Sequence, residues 1–254
     1  MDTMDTMDTM DDLYTMKIQE LISNHDYISE FKKHKVIYRN YPDLQLMIVK
    51  RKYGTTYSVD NLWLNCCRGL VIDTKRNTIV MSPPRKSSEL RTFDTFKELN
   101  TPVQELVDGT MVNLFYHQDS EQWLVSTRSN IGCTNKWSQD MNFKEMFDDC
   151  SNNLDYDSLE TSRTYSFVMR HKKNRIITPV TTNELYLVEV RENGRLVEVP
   201  EGVGYNVLPT IDPENLTDTQ SRLYKGYTTS VNGVRYKWLT AECKFIEMIK
   251  PNTN

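Results

Sequence analysis

The sequence contains few cysteines, and they form no regular framework. The five are Cys66, Cys67, Cys133, Cys150 and Cys243. An odd number of cysteines, without a Cys-x-x-Cys spacing or a nearby pair of histidines, is typical neither of a disulfide scaffold nor of a zinc site. We therefore expect reduced thiols in a reducing compartment, cytoplasmic or nuclear, and no bound metal.

Long apolar runs and an excess of positive charge are also missing. No run approaches the roughly 18 apolar residues of a membrane span, and the acidic, polar start resembles neither a secretory signal nor an Arg-rich transit peptide. We therefore expect no membrane association. The net charge of −4 argues against a broad, nonspecific nucleic-acid surface. Local basic segments at residues 170–175 and 50–52 are either binding patches or solvated charged edges.

The chain divides into three parts by composition. Residues 1–9 repeat Met-Asp-Thr three times, and we expect residues 1–11 to form a disordered tail because they bury nothing. Apolar residues at helical spacing between Leu13 and Ile22 predict a short helix. Residues 12–60 form an N-terminal extension of helix and strand, and residues 61–254 form the main domain.

Short apolar runs between turn residues predict an α+β protein dominated by antiparallel strands. The predicted strands are Leu44–Val49, Gly69–Asp73, Thr78–Met81, Thr110–Tyr116, Trp123–Thr127, Thr164–Arg170, Arg175–Thr178, Leu185–Arg191, Gly226–Ser230 and Val234–Trp238. The predicted helices are Asn142–Cys150, Asp212–Leu223 and Ala241–Ile249. Asn232-Gly233 predicts a hairpin turn.

The segment from Glu105 to Tyr116 contains Leu106-Val107-Asp108-Gly109. It resembles the Lys-x-Asp-Gly motif of covalent nucleotidyltransferases, which include ATP-dependent RNA and DNA ligases and capping enzymes. In that family the lysine attacks the α-phosphate of a nucleotide and forms a phosphoramide bond. Here Leu106 stands at the lysine position, and an aliphatic side chain has no lone pair with which to attack.

Further segments extend the resemblance over residues 65–245, to the adenylyltransferase domain of RNA ligases of the phage and large-DNA-virus type. They are Cys67–Asp73, Trp123–Ser129, Tyr165–Arg170, Asn174–Ile177, Glu184–Arg191, Lys225–Thr228 and Arg235–Thr240. Their order along the chain carries the resemblance, since no single match is specific. It implies a nucleotidyltransferase fold in which antiparallel sheets flank a cleft and helices lie at the periphery.

The resemblance also identifies what is lost at the catalytic positions. Besides Leu106, Val168 replaces a glutamate that contacts ribose, Lys225 replaces a glutamate that positions metal and phosphate, and Leu239 replaces a lysine. Nucleotidyl transfer depends on positioning and on charge neutralisation by lysines and metal-binding carboxylates. Residues that act as one unit contribute little once one of them is gone. We therefore expect no catalytic residues.

The positions that keep the residue type of the family are Arg68, Asp108, Gly109 and Lys237. The resemblance implies that they are the remnant of a nucleotide- and phosphate-binding site. For Arg68, a phosphate ligand and an ion pair with an acid such as Asp73 are equal alternatives. The Asp108-Gly109 pair is more simply explained by backbone geometry and capping. Candidate nucleic-acid contacts are Arg128, Arg170, Lys172, Lys173 and Arg175. We expect His171 to be an exposed loop residue.

Three functions fit these observations. The leading one is a catalytically inactive RNA-ligase-like protein that binds RNA or another nucleic acid, or serves as a scaffold, without a cofactor. The second is an active RNA ligase that uses ATP and Mg²⁺ and takes its nucleophile from elsewhere, for example Lys86 or Lys97. The third is a minor structural component of a virus particle with other viral proteins as partners. The sequence does not determine the oligomeric state.

The cleft itself separates these functions. If Leu106, Val168 and Leu239 fill a collapsed apolar pocket, nucleotide binding is lost. If they leave an open cavity lined by Arg68 and Lys237, anion binding is retained.

Overall fold

The computed structural model describes residues 9–24, 26–52, 59–136, 141–174, 176–202, 204–218 and 225–249. Within these ranges the chain forms five α-helices and fourteen β-strands. The helices are α1 (Met10–Ser23), α2 (Tyr27–Lys33), α3 (Phe93–Lys97), α4 (Phe143–Cys150) and α5 (Ala241–Ile249). The strands are β1 (Val36–Tyr41), β2 (Leu46–Arg51), β3 (Arg68–Asp73), β4 (Thr78–Met81), β5 (Ser88–Glu89), β6 (Gln104–Glu105), β7 (Thr110–His117), β8 (Gln122–Ser126), β9 (Arg163–Arg170), β10 (Glu184–Glu192), β11 (Arg195–Val197), β12 (Asn206–Val207), β13 (Gly226–Val231) and β14 (Val234–Leu239).

The first sheet is antiparallel, with strand order β1-β2-β3-β4. Helices α1 and α2 cover one of its faces, and Ile18, Ile22 and Phe31 pack there against strand residues such as Leu70. Helix α1 begins with a capping box, in which the side chain of Thr9 accepts a hydrogen bond from a backbone amide of the first turn. This sheet contains β1 and β2 of the expected N-terminal extension together with β3 and β4 of the expected main domain. The two parts therefore share one sheet.

The second sheet has strand order β11-β10-β9-β7-β8, and β12 pairs with β10 in parallel. Helix α4 packs on one face, where Met146 and Phe147 are fully buried. The first and second sheets meet through a smaller cluster that includes Ile48, Val71 and Phe115. Apolar residues at alternate positions of β7 and β9 therefore fill the core on both sides of the second sheet.

The third sheet has strand order β5-β14-β13-β6. Its centre is the β13–β14 hairpin, and both Asn232 and Gly233 have positive φ angles, of 50° and 77°. This geometry is typical of the hairpin turn that Asn-Gly favours, so the predicted turn is confirmed. Helix α3 packs on this sheet through Phe96, which contacts a cluster that contains Tyr227 and Trp238.

Most of the long predicted elements are present, but two predictions were wrong. The helix expected over residues 212–223 is only a 3₁₀ turn at Pro213–Asn215; residues 216–218 are not helical, and residues 219–223 lie outside the described part. The strand expected over residues 175–178 is absent at residues 176–178. The backbone amides of Ile177 and Thr178 donate to the carboxylate of Asp108 and not to a neighbouring strand.

The predicted disordered tail was too long by at least three residues. Residues 1–8 lie outside the described part, but Thr9 caps α1, and Asp11 is a helical residue with only 2% of its surface exposed. The physical reason is a buried ion pair with Arg191 of β10, which composition alone does not reveal. Among the described residues, no helix combines the length and the hydropathy needed to cross a membrane.

Candidate functional site

A cavity of about 350 Å³ lies where the three sheets come together. The first sheet contributes Arg68, the second contributes Met111 and Asn113, and the third contributes Arg235 and Lys237. The loop between β4 and β5 closes one side. The volume of the cavity is within the range of small-molecule binding sites.

The lining of this cavity is strongly basic. Six of its residues are cations, and none of the described lining residues is an aspartate or glutamate. The six are Arg68, Arg85, Lys86, Arg128, Arg235 and Lys237. In a chain with a net charge of −4, this is a local reversal of sign and the kind of field that attracts anions.

Three of these cations are neutralised by acids that lie behind the cavity wall. The Nε atom of Arg85 is 2.8 Å from Asp11. Arg235 is paired with Glu189 at 3.1 Å and Lys237 with Glu89 at 3.2 Å. For Arg68, Arg128 and Lys86, the described part of the chain supplies no carboxylate partner.

Arg68 is the least compensated of these cations. Burial, together with the positive charges of Arg128, Arg51 and Arg235, lowers its pKa from 12.5 to about 10. Since a pKa of about 10 is well above 7, the guanidinium stays charged at neutral pH. The alternative pairing with Asp73 was wrong, because that carboxylate accepts hydrogen bonds from Arg76 and from the amide of Lys75.

Gly69 brings Arg68 close to Arg128. Its φ angle is +109°, and a Cβ atom at this position would lie 2.9 Å from the Cα of Arg128. A side chain would therefore push β3 away from the segment that follows β8. The close approach at Gly69 therefore allows Arg68 and Arg128 to lie side by side at one wall of the cavity.

The cleft is open and not collapsed. Leu106 lines the cavity, and its backbone amide donates to the carbonyl of Gly226. Leu239 is buried with Cys243 beneath it, and Val168 is buried in β9; neither lines the cavity. Of Leu106, Val168 and Leu239, only Leu106 borders the open space.

Asp108 is a structural residue. It is 4% exposed, and its Oδ2 accepts hydrogen bonds from the amides of Ile177 and Thr178 at 2.7 and 2.8 Å. Its Oδ1 is 3.2 Å from the Nζ of Lys225, which is also 3.9 Å from Glu247 of α5. Lys225 therefore compensates a buried carboxylate and does not line the cavity.

Gly109 is needed for close packing. Its φ angle is not positive, so the backbone freedom of glycine, which was the expected reason for this residue, is not what the position requires. A Cβ at this position would lie 2.5 Å from the carbonyl oxygen of Met169 and 2.7 Å from Cγ1 of Val168. The absent side chain lets the start of β7 approach β9.

The candidate nucleic-acid contacts are in different places. Arg128 lines the cavity. Arg170 donates from Nη2 to the carbonyl of Pro179 at 2.8 Å. Lys172 and Lys173 are exposed on the turn after β9 and do not line the cavity. Arg175 lies outside the described residues.

His171 is buried, which contradicts the prediction that it is exposed. It is 2% exposed, its Nε2 lies 3.2 Å from Asp149, and its Nδ1 accepts a hydrogen bond from the amide of Lys173. These two contacts hold the ring against α4. The histidine thereby fixes the turn that carries Lys172 and Lys173.

Sequence reasoning missed Arg85 and Arg235 as cavity residues. For Arg235 a signal was available, because Arg235 and Lys237 are two positions apart on a strand and therefore share a face. For Arg85 there was none, since it is buried by contact with Asp11, seventy-four positions earlier in the chain. Lys86 was considered only as a substitute nucleophile. It lines the cavity with Leu106, whereas Lys97 is exposed on α3 and does not.

No protein-family model matches this sequence, and no curated protein matches it. A solved structure does match: a protein from Aquifex aeolicus described as an ATP-dependent DNA ligase, with a TM-score of 0.55 and 14% sequence identity. The match covers 89% of this chain and 65% of the ligase chain. The predicted fold class is thereby confirmed: the protein is an α+β structure with antiparallel sheets that matches the adenylation-domain fold of a DNA ligase.

Proposed function

We propose that the protein binds a phosphate-bearing ligand, a nucleotide or the end of a nucleic acid, in this cavity and does not form a covalent nucleotide adduct. The observation that carries the proposal is a cationic cavity that has Leu106 at its wall and no acid among its described lining residues. The fold supplies the cleft, and the lining supplies charge without a nucleophile at the motif position.

Electrostatics supports anion binding at Arg68 and Arg128. Two unit charges 4 Å apart attract by about 4 kcal/mol at an effective dielectric constant of about 20, before desolvation is subtracted. Burial is the main cause of the lowered pKa of Arg68, and the positive charge of Arg128 adds to it. A phosphate between these two arginines would offset that repulsion. Guanidinium groups suit this role because their planar forks donate two parallel hydrogen bonds to a phosphate.

Binding is tested by calorimetric titration with ATP and with uridine 5′-monophosphate. We expect both to bind to the native chain and Arg68→Gln to weaken binding at least tenfold, because a charge-assisted hydrogen bond contributes about 1.5–3 kcal/mol. The matched control is Lys172→Gln, which removes an exposed positive charge away from the cavity. If neither ATP nor uridine 5′-monophosphate binds to the native chain, the proposal is overturned.

A second candidate function is a nucleotidyltransferase with a relocated nucleophile. The observation in its favour is that Lys86 lines the same cavity as Leu106. Phosphoryl-type transfer also needs carboxylates that hold a divalent metal, and none of the described lining residues is acidic. Incubation with labelled ATP and Mg²⁺, followed by denaturing electrophoresis, separates the two functions: an adduct that Lys86→Ala abolishes would establish the second one.

A role as a structural component of a virus particle stays a prediction. Copurification of the chain with particles would support it. Under the binding function proposed here, anion binding through Arg68 persists in the isolated protein.

A further inference from the structure

The first sheet has two edges, formed by β1 and β4. At the β4 edge, the side chain of Gln19 takes the place of a neighbouring strand. Its Nε2 donates to the carbonyl of Asn77 at 3.1 Å, and its Oε1 accepts a hydrogen bond from the backbone amide of Ile79 at 3.3 Å. At the β1 edge, no strand or side chain of the described residues makes such bonds with the backbone of residues 36–41. The β1 edge is therefore open.

β1 is also the longest edge strand in the described part of the chain. It has six residues, whereas β8 has five and β4, β5, β6, β11 and β12 have two to four. Proteins usually protect a long open edge with several charges, a proline or a bulge. β1 carries one charged residue, Arg39, and pairs with β2 without a bulge. Its outer backbone groups are thus available to a further strand.

A groove lies on each face of this edge. Because the side chains of a strand alternate between its two faces, Ile37 and Arg39 share one face and Tyr38 and Asn40 share the other. Ile37 and Arg39 line a groove of about 150 Å³. Tyr38 and Asn40 line a groove of about 450 Å³. A strand added to β1 would place its side chains alternately in the two grooves.

The two grooves differ in charge. The smaller groove is cationic, since Arg39, Lys50 and Arg128 line it and none of its described lining residues is acidic. The larger groove has no charged side chain among the described residues that line it, and its wall includes Tyr27 and Met47. Acidic side chains therefore suit one face of an added strand, and apolar side chains suit the other.

Arg39 is the cation closest to an added strand, because it lies on the edge strand itself. It is exposed, and its guanidinium lies 5.2 Å from the centre of the Tyr41 ring, two positions further along β1. Lys50 lies one strand further in, opposite Ile37. Since opposite charges on paired strands attract each other, an acidic residue of an added strand would pair with Arg39 in the field of Lys50.

We infer that the β1 edge binds an extended segment of a partner protein in which acidic residues alternate with apolar ones. The segment adds a strand to the first sheet, so that main-chain hydrogen bonds provide affinity and the two grooves select the side chains. A second copy of β1 suits the edge less well, because it brings another Arg39 and no acid to the cationic groove. The inference does not depend on the binding function of the cavity.

The probe is the capped peptide acetyl-Ser-Glu-Val-Glu-Phe-Glu-Val-Ser-amide, titrated into the full chain by calorimetry. We expect it to bind and to slow hydrogen exchange of the β1 amides that point away from β2, because an added strand protects them. One control peptide has lysine in place of glutamate. The other keeps the composition but groups its glutamates at one end. Neither control should slow exchange in β1.

N-methylation of the peptide tests the main-chain hydrogen bonds separately from the charges. In a sheet, every second residue of a strand directs its amide toward a given neighbour. Methylation of one alternate set of peptide amides should therefore abolish binding, and methylation of the other set should leave it intact. Equal binding of the two methylated peptides would refute strand addition.

The variant Arg39→Glu tests the charge of the edge. It should weaken binding of the glutamate peptide by about five- to tenfold and strengthen binding of the lysine peptide, since like charges on paired strands repel each other. The matched control is Lys172→Glu, the same charge reversal on an exposed turn that lines neither groove. It should change neither affinity. Both variants should keep the native melting temperature, because both positions are exposed.

Other occupants of the edge give different results. If exchange in β1 slows as the protein concentration rises without peptide, the edge pairs with a second copy and the inference is wrong. If an oligouridylate slows exchange in β1 and the peptide does not, the edge belongs to a nucleic-acid surface, which also overturns the inference. Unchanged exchange in β1 with the peptide bound would place the peptide elsewhere and refute the strand.

Discussion

Asp11 offers the sharpest test of the electrostatics that shape the cavity. It lies at the start of α1, is 2% exposed, and accepts hydrogen bonds from Nη1 and Nη2 of Arg191 at 2.5 and 2.9 Å. It also faces the Nε of Arg85, a cavity residue, at 2.8 Å. The change Asp11→Ala would leave two buried guanidinium groups with one carboxylate fewer, although Arg191 would keep its contact with Glu189 at 2.7 Å.

The expected cost is large because the cations stay behind. Removing one partner of a buried ion pair typically costs about 3–5 kcal/mol, whereas an exposed pair contributes about 0–1 kcal/mol. Asp11 has almost no solvent to replace its contacts, so the buried value applies. The free energy of unfolding of Asp11→Ala should therefore fall by about 3–5 kcal/mol.

The pH dependence has a definite sign. Burial raises the pKa of Asp11, but Arg191 and Arg85 outweigh it and hold that pKa below its ordinary value of 3.8. A carboxylate whose folded pKa is lowered stabilises the protein above its unfolded pKa and loses that contribution as pH falls through the folded value. The difference in stability between the native chain and Asp11→Ala should be constant near neutral pH and should narrow below about pH 4.

Urea unfolding at several pH values is the assay. The matched control is Asp148→Ala, since Asp148 also forms a close ion pair, with Lys144 at 2.6 Å, but is exposed. The control should lose no more than about 1 kcal/mol. If Asp11→Ala loses as little as the control, or if its deficit does not narrow in acid, the reasoning about the buried network is refuted.

Three further predictions concern the motif positions. Gly109→Ala should lower stability by about 1–3 kcal/mol in urea unfolding, since its Cβ would overlap the carbonyl oxygen of Met169; an unchanged midpoint would contradict the close packing of β7 on β9. Leu106→Lys should form no nucleotide adduct with labelled ATP and Mg²⁺, because Val168 and Lys225 stand where the resemblance to ligases places two glutamates; a denaturation-stable adduct would show that the site lacks only its nucleophile. Arg68→Gln should raise the melting temperature while it weakens nucleotide binding, because it removes a guanidinium whose pKa is lowered by burial and neighbouring arginines; a lowered melting temperature would mean that Arg68 is a structural residue.

The fold could be predicted from the sequence where the local residue pattern and the tertiary packing agree. Alternating apolar residues in β7, β9 and β10 face a core on each side, so their periodicity is strong. Strand β1 was missed because, of its six residues, only Val36 is buried, and an edge strand carries little apolar signal. The segment 176–178 was misread as a strand because its amides bind the side chain of Asp108.

Only part of the candidate site could be predicted from the sequence. The sequence by itself determined that the motif position holds Leu106, which excludes a nucleophile there whatever the fold. It also singled out Arg68 and Lys237, which the structure places in one cavity.

Only the tertiary structure decided the rest, because the charge of a side chain acquires its effect from what surrounds it. Arg85 is neutralised by Asp11 of α1, and Lys225 by Asp108, and both partners are distant in sequence. Arg68 is left among other arginines. Residue type fixes which groups carry charge, but the packing of three sheets fixes which of those charges are cancelled and which remain available to a ligand.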